Sequence, residues 1–130
     1  MSINPYVKKV EKPWGYELIL TQPDLPYTGK ILHINQKERF SLQYHEQKQE
    51  TLCLLKGEAK LYLEDEKGEL LELEMEPLKG YLIAPYQQHR VEGITDCDIL
   101  EASTSEKGNT IRVKDDYQRG VETEEERSRR

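Results

Sequence analysis

Residues 39–57 read RFSLQYHEQKQETLCLLKG, and this stretch decides the fold. Gln43 and His45 are two residues apart, so on a β-strand their side chains point to the same face. Glu50 follows across a polar run typical of a turn, and it can face the same interior from the returning strand. His89 is a further candidate from far downstream. Two imidazoles, a carboxylate and an amide oxygen form a suitable ligand set for a divalent metal.

Short segments of alternating polarity continue on both sides of this stretch, divided by Gly, Pro and Asp turns. Gly57 supplies the positive φ that a tight connection between two strands often needs. Strands this short and this regularly spaced predict an all-β protein with an antiparallel sandwich or barrel. The predicted strands cover residues 16–21, 28–35, 39–45, 51–55, 59–64, 70–75, 81–84, 89–92 and 98–102.

The composition excludes several classes of protein. No apolar run approaches the ~20 residues that span a bilayer, and the polar, Pro-interrupted N-terminus indicates no signal peptide. The formal net charge of −6 argues against a nucleic-acid partner. A few local Lys and Arg side chains can still hold a small anion. Cys53 and Cys97 lack metal-site spacing and are interpreted as reduced thiols of a cytoplasmic protein.

The chain length predicts one domain over residues 1–120, opening with an extended N-terminal arm. A short helix is possible near residues 115–119. The tail at 121–130 ends in ETEEERSRR, which is charged and has no apolar anchor. We therefore expect this tail to be disordered.

Six motifs support a family resemblance: KPWGYE at 12–17, YTGKILHIN at 27–35, FSLQYHE at 40–46, ETLCLLKGEA at 50–59, HRVEGITDCDILEAST at 89–104 and IRVKDDYQR at 111–119. Together they resemble the cupin superfamily, and most closely the cupin module of type II mannose-6-phosphate isomerases. That module is often fused to a mannose-1-phosphate guanylyltransferase. The resemblance implies an antiparallel cupin β-barrel, the double-stranded β-helix of jelly-roll type. Because the chain has no Gly-rich nucleotide-binding segment, we expect a stand-alone module that does not form GDP-mannose.

The departures from the cupin motifs are concentrated in turns, while the four expected ligand positions are intact. Lys37 stands where the first motif usually has Gly. Tyr86 also replaces a usual Gly, and it puts bulk beside the expected cavity mouth. In the second motif, the usual Gly, Pro, Gly and Asn are replaced by Leu78, Ala84, Tyr86 and Gly93.

The resemblance also implies roles for cations around the metal. Arg112 is expected to be catalytic or substrate-binding, and Lys30 to contact a phosphate or hydroxyl and serve in catalysis. Arg39 and Arg90 are further candidates for binding the substrate, because guanidinium donors suit phosphate. Zn is the expected metal, although Mn, Fe, Co and Ni bind similar ligands. The general base stays open among Lys30, a Glu in the barrel and metal-bound hydroxide.

Three functions remain open on these residues. The first is an aldose–ketose isomerase for mannose 6-phosphate and fructose 6-phosphate, in which the metal lowers the cost of a cis-enediolate. The second is a metal-binding cupin that binds a sugar or small anion without isomerising it. The third is an Fe(II) oxygenase-type cupin, which Gln43 in place of a third His disfavours slightly. A homodimer is expected, since pairing of protomers covers sheet edges.

Overall fold

The structure is a computed structural model that describes residues 3–129. Met1, Ser2 and Arg130 belong to the predicted arm and tail, and they lie outside the described residues. The elements in chain order are β1 Lys8–Lys12, β2 Gly15–Ile19, β3 Tyr27–Ile34, β4 Leu42–His45, β5 Glu50–Lys56, β6 Ala59–Glu64, β7 Leu70–Glu74, β8 Gly80–Ile83, β9 His89–Gly93, β10 Cys97–Thr104, β11 Thr110–Lys114 and α1 Glu124–Ser128.

Two antiparallel sheets form the barrel. The first has the strand order β1-β2-β3-β10-β5-β8, and the second has the order β11-β4-β9-β6-β7. The predicted antiparallel all-β architecture is therefore confirmed. In the described residues no helix is long and apolar enough to cross a membrane.

The structure departs from the sequence predictions at both ends of the domain. The segment Lys8–Lys12, expected in an extended arm, pairs with β2 as strand β1. No helix forms near residues 115–119. Instead, Asp115 organises a turn, because its side chain accepts from the Arg119 amide at 2.7 Å and its carbonyl accepts from the Gln118 amide at 3.1 Å.

The segment 121–129 packs on the barrel, where the sequence predicts a disordered tail. Glu122 exchanges two backbone hydrogen bonds with Thr110, at 2.9 and 3.0 Å. Thr123 caps α1 by accepting from the Glu126 amide at 3.1 Å. Arg127 then donates to the Gly108 carbonyl at 3.2 Å. The high charge of this segment predicted a solvated tail. In the structure its charged side chains instead bond to groups on the barrel.

The hydrophobic core lies between the two sheets, and the inward positions of three adjacent strands show how it is built. On β10, Ile99 is opposite Leu32 of β3 on one side and Leu54 of β5 on the other. The single tryptophan, Trp14, is buried with its ring centroid 6.0 Å from that of Phe40. The core comprises Trp14, Leu32, Ile34, Phe40, Leu52, Leu54, Ala59, Leu61, Met75, Ile83, Val91, Cys97 and Ile99.

Towards one end of the barrel the same inward positions become charged. Two residues before Leu32, Lys30 points inward and lies opposite Glu101 of β10. Glu50, at the start of β5, is also buried. The alternation of the strands therefore carries ionisable groups into the interior.

Three turn residues keep a backbone conformation that favours glycine. Lys37, Leu78 and Tyr86 have φ of 67°, 61° and 66°. All three stand where the cupin motifs usually have Gly, so the replacements retain the left-handed turn. Each amide of this group donates to a backbone carbonyl, and the acceptors are Gly93 at 2.8 Å, Leu54 at 2.9 Å and His45 at 2.7 Å.

Candidate metal centre

Three of the four predicted metal ligands meet inside the barrel. His45 ends β4, Glu50 begins β5 and His89 begins β9. Glu50 Oε1 lies 3.0 Å from His89 Nε2 and 3.6 Å from His45 Nε2. One ligand atom from each residue lies within 4.8 Å of the others. This spacing can bring all three atoms onto one cation.

Hydrogen bonds at the far side of each imidazole orient both histidines. His89 Nδ1 lies 2.9 Å from the Gln87 carbonyl oxygen, which can only accept a hydrogen bond. Nδ1 must therefore donate, and a neutral His89 presents the lone pair of Nε2 towards Glu50. His45 Nδ1 lies 2.9 Å from Thr110 Oγ1, a contact that fixes the orientation of the second ring.

The chemistry of these groups fits a divalent metal. The Nε2 atoms of His45 and His89 are buried and make no hydrogen bond, which is costly without a further partner. Burial lowers the pKa of His45 to about 4, and the charge of Lys48 acts in the same direction. Burial opposes ionisation of Glu50, but the charge of Lys48, 3.3 Å away, acts in the other direction, and the pKa of the Glu50 carboxyl lies well below its usual range. Two imidazole nitrogens and a carboxylate suit Zn and its neighbours.

Gln43, the fourth predicted ligand, lines the same cavity but has a partner. It lies opposite His89 across the β4–β9 pair. Its Oε1 accepts a hydrogen bond from Ser41 Oγ at 2.7 Å. A carbonyl oxygen has a second lone pair, so this bond leaves room for a ligand role. That role stays a prediction.

The cavity at this centre, called the inner cavity below, has a volume of about 50 Å³. By this measure a water molecule needs about 10 to 15 Å³, so the space admits an ion together with a few water molecules. Its walls include three of the four metal-ligand candidates (Gln43, His45 and Glu50), two of the predicted cations and several charged groups that the sequence did not single out. Charged and polar residues that line it include Lys30, Gln43, His45, Lys48, Glu50, Glu101, Glu106 and Arg112.

The structure brings two of the four predicted cations to the site and leaves two away from it. Lys30 and Arg112 line the inner cavity. Arg39 instead makes a two-pronged ion pair with Asp116, at 2.8 and 3.1 Å. Arg90 follows His89 directly on β9, so its side chain points to the opposite face of the strand. Arg39 and Arg90 are therefore not placed to bind a substrate next to the metal centre.

A buried ion-pair network, which was not predicted from the sequence, surrounds the inner cavity. Lys48 Nζ lies 3.1 Å from Glu101 Oε2 and 3.3 Å from Glu50 Oε2. Glu106 connects Lys48 to Arg127 of α1. Glu101 shares the inward face of β10 with Ile99, so strand parity could have revealed it. Lys48, Glu106 and Arg127 lie outside the strands, and no pattern in the sequence marks them.

Lys30 remains charged inside this network. Burial alone would lower its pKa, but the carboxylates of Glu17, Glu106 and Glu101 outweigh burial and raise the pKa. Lys30 Nζ lies 3.5 Å from Glu17 Oε1 and also pairs with Glu106. A lysine held as a cation suits an anion contact better than the role of a base.

A larger cavity, called the outer cavity, adjoins the inner one. Its volume is about 590 Å³, and Lys30 and Glu106 line both spaces. Arg127 is a further charged group on its wall. Tyr86, expected beside the cavity mouth, lines neither space, and its side chain is 63% exposed. The bulk of Tyr86 therefore does not narrow either cavity.

A family model described as "Mannose-6-phosphate isomerase C-terminal" matches residues 3–117. The chain belongs to this family. Membership accounts for the motifs that carry the resemblance, and it leaves the segment after residue 117 outside the match. A search of curated proteins finds no match.

Solved structures show that members of this family share the cupin fold with more distant proteins. KdgF from Halomonas sp. is 15% identical, with a TM-score of 0.61 over 78% of this chain and 89% of KdgF. CapF, a capsular polysaccharide assembling protein from Staphylococcus aureus, is 13% identical, with a TM-score of 0.66 over 92% of this chain and 33% of CapF. Oxalate decarboxylase from Bacillus subtilis is 15% identical, with a TM-score of 0.71 over 82% of this chain and 30% of the enzyme. The chain thus spans about a third of the latter two proteins.

Proposed function

We propose that this protein is a metal-dependent sugar-phosphate isomerase of the mannose 6-phosphate/fructose 6-phosphate type. The observation that carries the proposal is the His45–Glu50–His89 cluster, whose ligand atoms lie within 4.8 Å of one another. Membership of the mannose-6-phosphate isomerase C-terminal family supports the substrate class. The B. subtilis oxalate decarboxylase has Mn(II) centres, which supports metal binding by a cupin barrel.

The ligand candidates for the metal are His45, Glu50 and His89, with Gln43 as a fourth. When bound, a divalent metal would polarise the oxygens on C1 and C2 of the sugar. Zn is the expected occupant, with Mn, Fe, Co and Ni as alternatives. Arg112 lines the same cavity, so its guanidinium would add positive charge near the developing negative charge.

Isomerisation needs a group that removes a proton from C2 and returns it to C1. Burial, helped by the nearby Glu50 carboxylate, raises the pKa of Glu101 to about 7 despite Lys48. A carboxyl with that pKa exchanges protons readily at neutral pH. Glu101 lines the inner cavity, whereas Lys30 is held as a cation. We therefore assign the base to Glu101 within this proposal.

The second candidate function is an oxygenase-type cupin that uses Fe(II). Two histidines and one carboxylate are also the ligand set of non-haem Fe(II) oxygenases.

A third alternative, a cupin that binds a sugar or anion without turnover, is favoured by the inner cavity of about 50 Å³. Sites for drug-sized ligands usually measure about 300 to 1,000 Å³. Oxygen uptake with Fe(II) would support the oxygenase, and binding without turnover would support the binding module.

The test compares His89→Ala with His33→Ala as a matched control. His33 is the remaining histidine, and its Nδ1 pairs with Asp98 at 2.7 Å, away from the cavities. We expect His33→Ala to retain one metal per chain by elemental analysis and full coupled conversion of mannose 6-phosphate. His89→Ala should lose both, because a buried ligand is removed. Full turnover by chelated protein that is verified to be metal-free would reject the proposal.

Pairing of two protomers also stays a prediction. Strands β1 and β8 end one sheet, and β11 and β7 end the other. Glu122 already bonds to the β11 edge at Thr110, so in the described chain the edges of β1, β7 and β8 are the candidates for pairing. Cys53 and Cys97 are free thiols in the structure. Light scattering coupled to gel filtration would show the mass of the assembly.

A further inference from the structure

The loop between β10 and β11 sends one carboxylate into the interior. Residues 105–109 have no regular structure, yet the Glu106 side chain is only 16% exposed. It forms part of the wall between the inner and outer cavities. Burying a charged group is costly unless cations compensate it.

Three cations from separate parts of the chain surround this carboxylate. Arg127 Nε lies 2.8 Å from Glu106 Oε2, and Lys48 Nζ lies 3.7 Å from Oε1. Lys30 forms a third ion pair with it. Burial opposes ionisation, but Lys30, Lys48 and Arg127 outweigh it and hold the pKa of Glu106 well below its usual range. Lys30 and Lys48 are themselves buried, at 3% and 7% exposure.

The balance of charge shows what would follow if Glu106 moved away. Among the described residues, ion pairs join five cations and five carboxylates in one continuous network: Lys12, Lys30, Lys48, Arg112 and Arg127 with Glu17, Glu50, Glu101, Glu106 and Glu122. Withdrawing one carboxylate would leave a buried excess of positive charge. An external anion that brings two or three oxygens could replace the lost carboxylate.

We propose that Lys30, Lys48 and Arg127 form an anion-binding site, that Glu106 occupies it in the free protein, and that a phosphate or carboxylate group of the substrate displaces Glu106. The other carboxylates of the network are less free to leave. Glu101 is part of β10, and the backbone of Glu122 pairs with Thr110. Glu106 is on an irregular loop, so it can withdraw without breaking a strand.

This inference deepens the proposed function, because it gives the phosphate of a sugar phosphate a place next to the metal centre. Displacing Glu106 would also join the inner cavity of about 50 Å³ to the outer cavity of about 590 Å³. The combined space falls within the range of small-molecule sites. Arg127 lies beyond the family match at 3–117, so family membership does not account for the third cation.

Inorganic phosphate is the probe for the test, with its affinity measured by calorimetry at low ionic strength. We expect Glu106→Gln to bind phosphate about tenfold or more tightly than the wild type, because an internal competitor lowers apparent affinity by the fraction of open sites. Glu122→Gln is the matched control. It removes a carboxylate that also pairs with Arg127 at 3.1 Å, together with Lys12 and Arg112, two cations outside the proposed anion-binding site. It should bind as the wild type does.

Adding Arg127→Gln to Glu106→Gln should reverse the gain in phosphate affinity. If phosphate bound only to a metal, its affinity would not depend on Arg127. Unchanged affinity in Glu106→Gln, or an equal gain in Glu122→Gln, would overturn the inference. Amide NMR spectra of wild-type protein provide a second measurement that does not depend on a variant. Phosphate should shift the signals of residues 105–109 saturably, and an unmoved loop would contradict displacement. Neither measurement needs sugar turnover, so failure of the isomerase proposal would be recognised separately.

Discussion

The two ends of the barrel interior are built on the same strands but with opposite chemistry. At one end, Leu32, Ile99 and Leu54 lie side by side on β3, β10 and β5. Two residues further along β3 and β10, the inward positions hold Lys30 and Glu101 instead. At both ends these side chains face inward because every second residue of a β-strand points to the same face. The fold therefore specifies which positions face inward, and the polarity at those positions carries the information about function.

The two ends also differ in how they contribute to stability. Full burial of a Leu or Ile side chain stabilises the fold by about 1.5 to 3 kcal/mol. A buried ion pair gains little net free energy, because desolvation offsets the attraction between the charges. We infer that the apolar end stabilises the barrel, while the charged end is retained for what it binds. The following three experiments test that division, with unfolding in urea followed by the fluorescence of Trp14.

The largest expected effect comes from leaving the charged end unbalanced. Lys48→Met removes the cation that pairs with Glu50 at 3.3 Å and with Glu101 at 3.1 Å. Removing one partner of a buried pair should lower the free energy of unfolding by about 3 to 5 kcal/mol. Lys60→Met is the control, because Lys60 pairs with Glu72 on the exterior, and we expect no measurable change. Equal stability of the two variants would show that the charges at this end are already solvated.

A slightly smaller loss is expected at the apolar end. Ile99→Ala should lower the free energy of unfolding by about 2 to 5 kcal/mol, because Ile99 is fully buried and its truncation leaves a cavity in the core. Ile99→Val should cost only about 0.5 to 1.5 kcal/mol. Neither change should alter the metal content. A loss of metal together with stability would mean that the two ends do not act independently.

The third effect depends on pH and concerns Glu101. Its pKa is raised to about 7 in the folded protein, so between pH 4.5 and 7 the folded state binds more protons than the unfolded state. Its contribution to stability is therefore present at low pH and is lost as pH rises towards 7. Glu101→Gln removes this dependence. The variant should gain up to about 3 kcal/mol relative to the wild type between pH 5 and pH 8. A difference that stays constant over this range would exclude a raised pKa.

Much of the site could be predicted from the sequence, because both strand alternation and the family motifs are visible in short stretches of residues. The Gln43-x-His45 spacing set both side chains on one face, and Glu50 followed on the next strand. Lys48 and Glu106 could not be predicted in the same way. They lie in irregular segments between strands, where no period determines direction, and their burial depends on partners that arrive only in the folded barrel.

The C-terminal segment shows the same limit more strongly. A charged run without apolar residues is typical of a solvated tail. The charges in a sequence do not show which groups of the folded protein they will contact. Arg127 nevertheless bonds Thr110 Oγ1 at 3.3 Å, and the same oxygen lies 2.9 Å from Nδ1 of His45. Two hydrogen bonds thus connect this segment to a candidate metal ligand. Arg39 and Arg90 were suggested by residue type alone, but Arg39 pairs with Asp116 and Arg90 points to the face of β9 opposite to that of His89.

The left-handed turns at Lys37, Leu78 and Tyr86 have a consequence for how relatives of this protein are recognised. A search pattern that demands glycine at those places would reject this chain, although its backbone keeps the same shape. The shape is maintained by amide contacts such as that from Tyr86 to the His45 carbonyl at 2.7 Å. A conformational criterion would find such divergent members where an amino-acid criterion overlooks them.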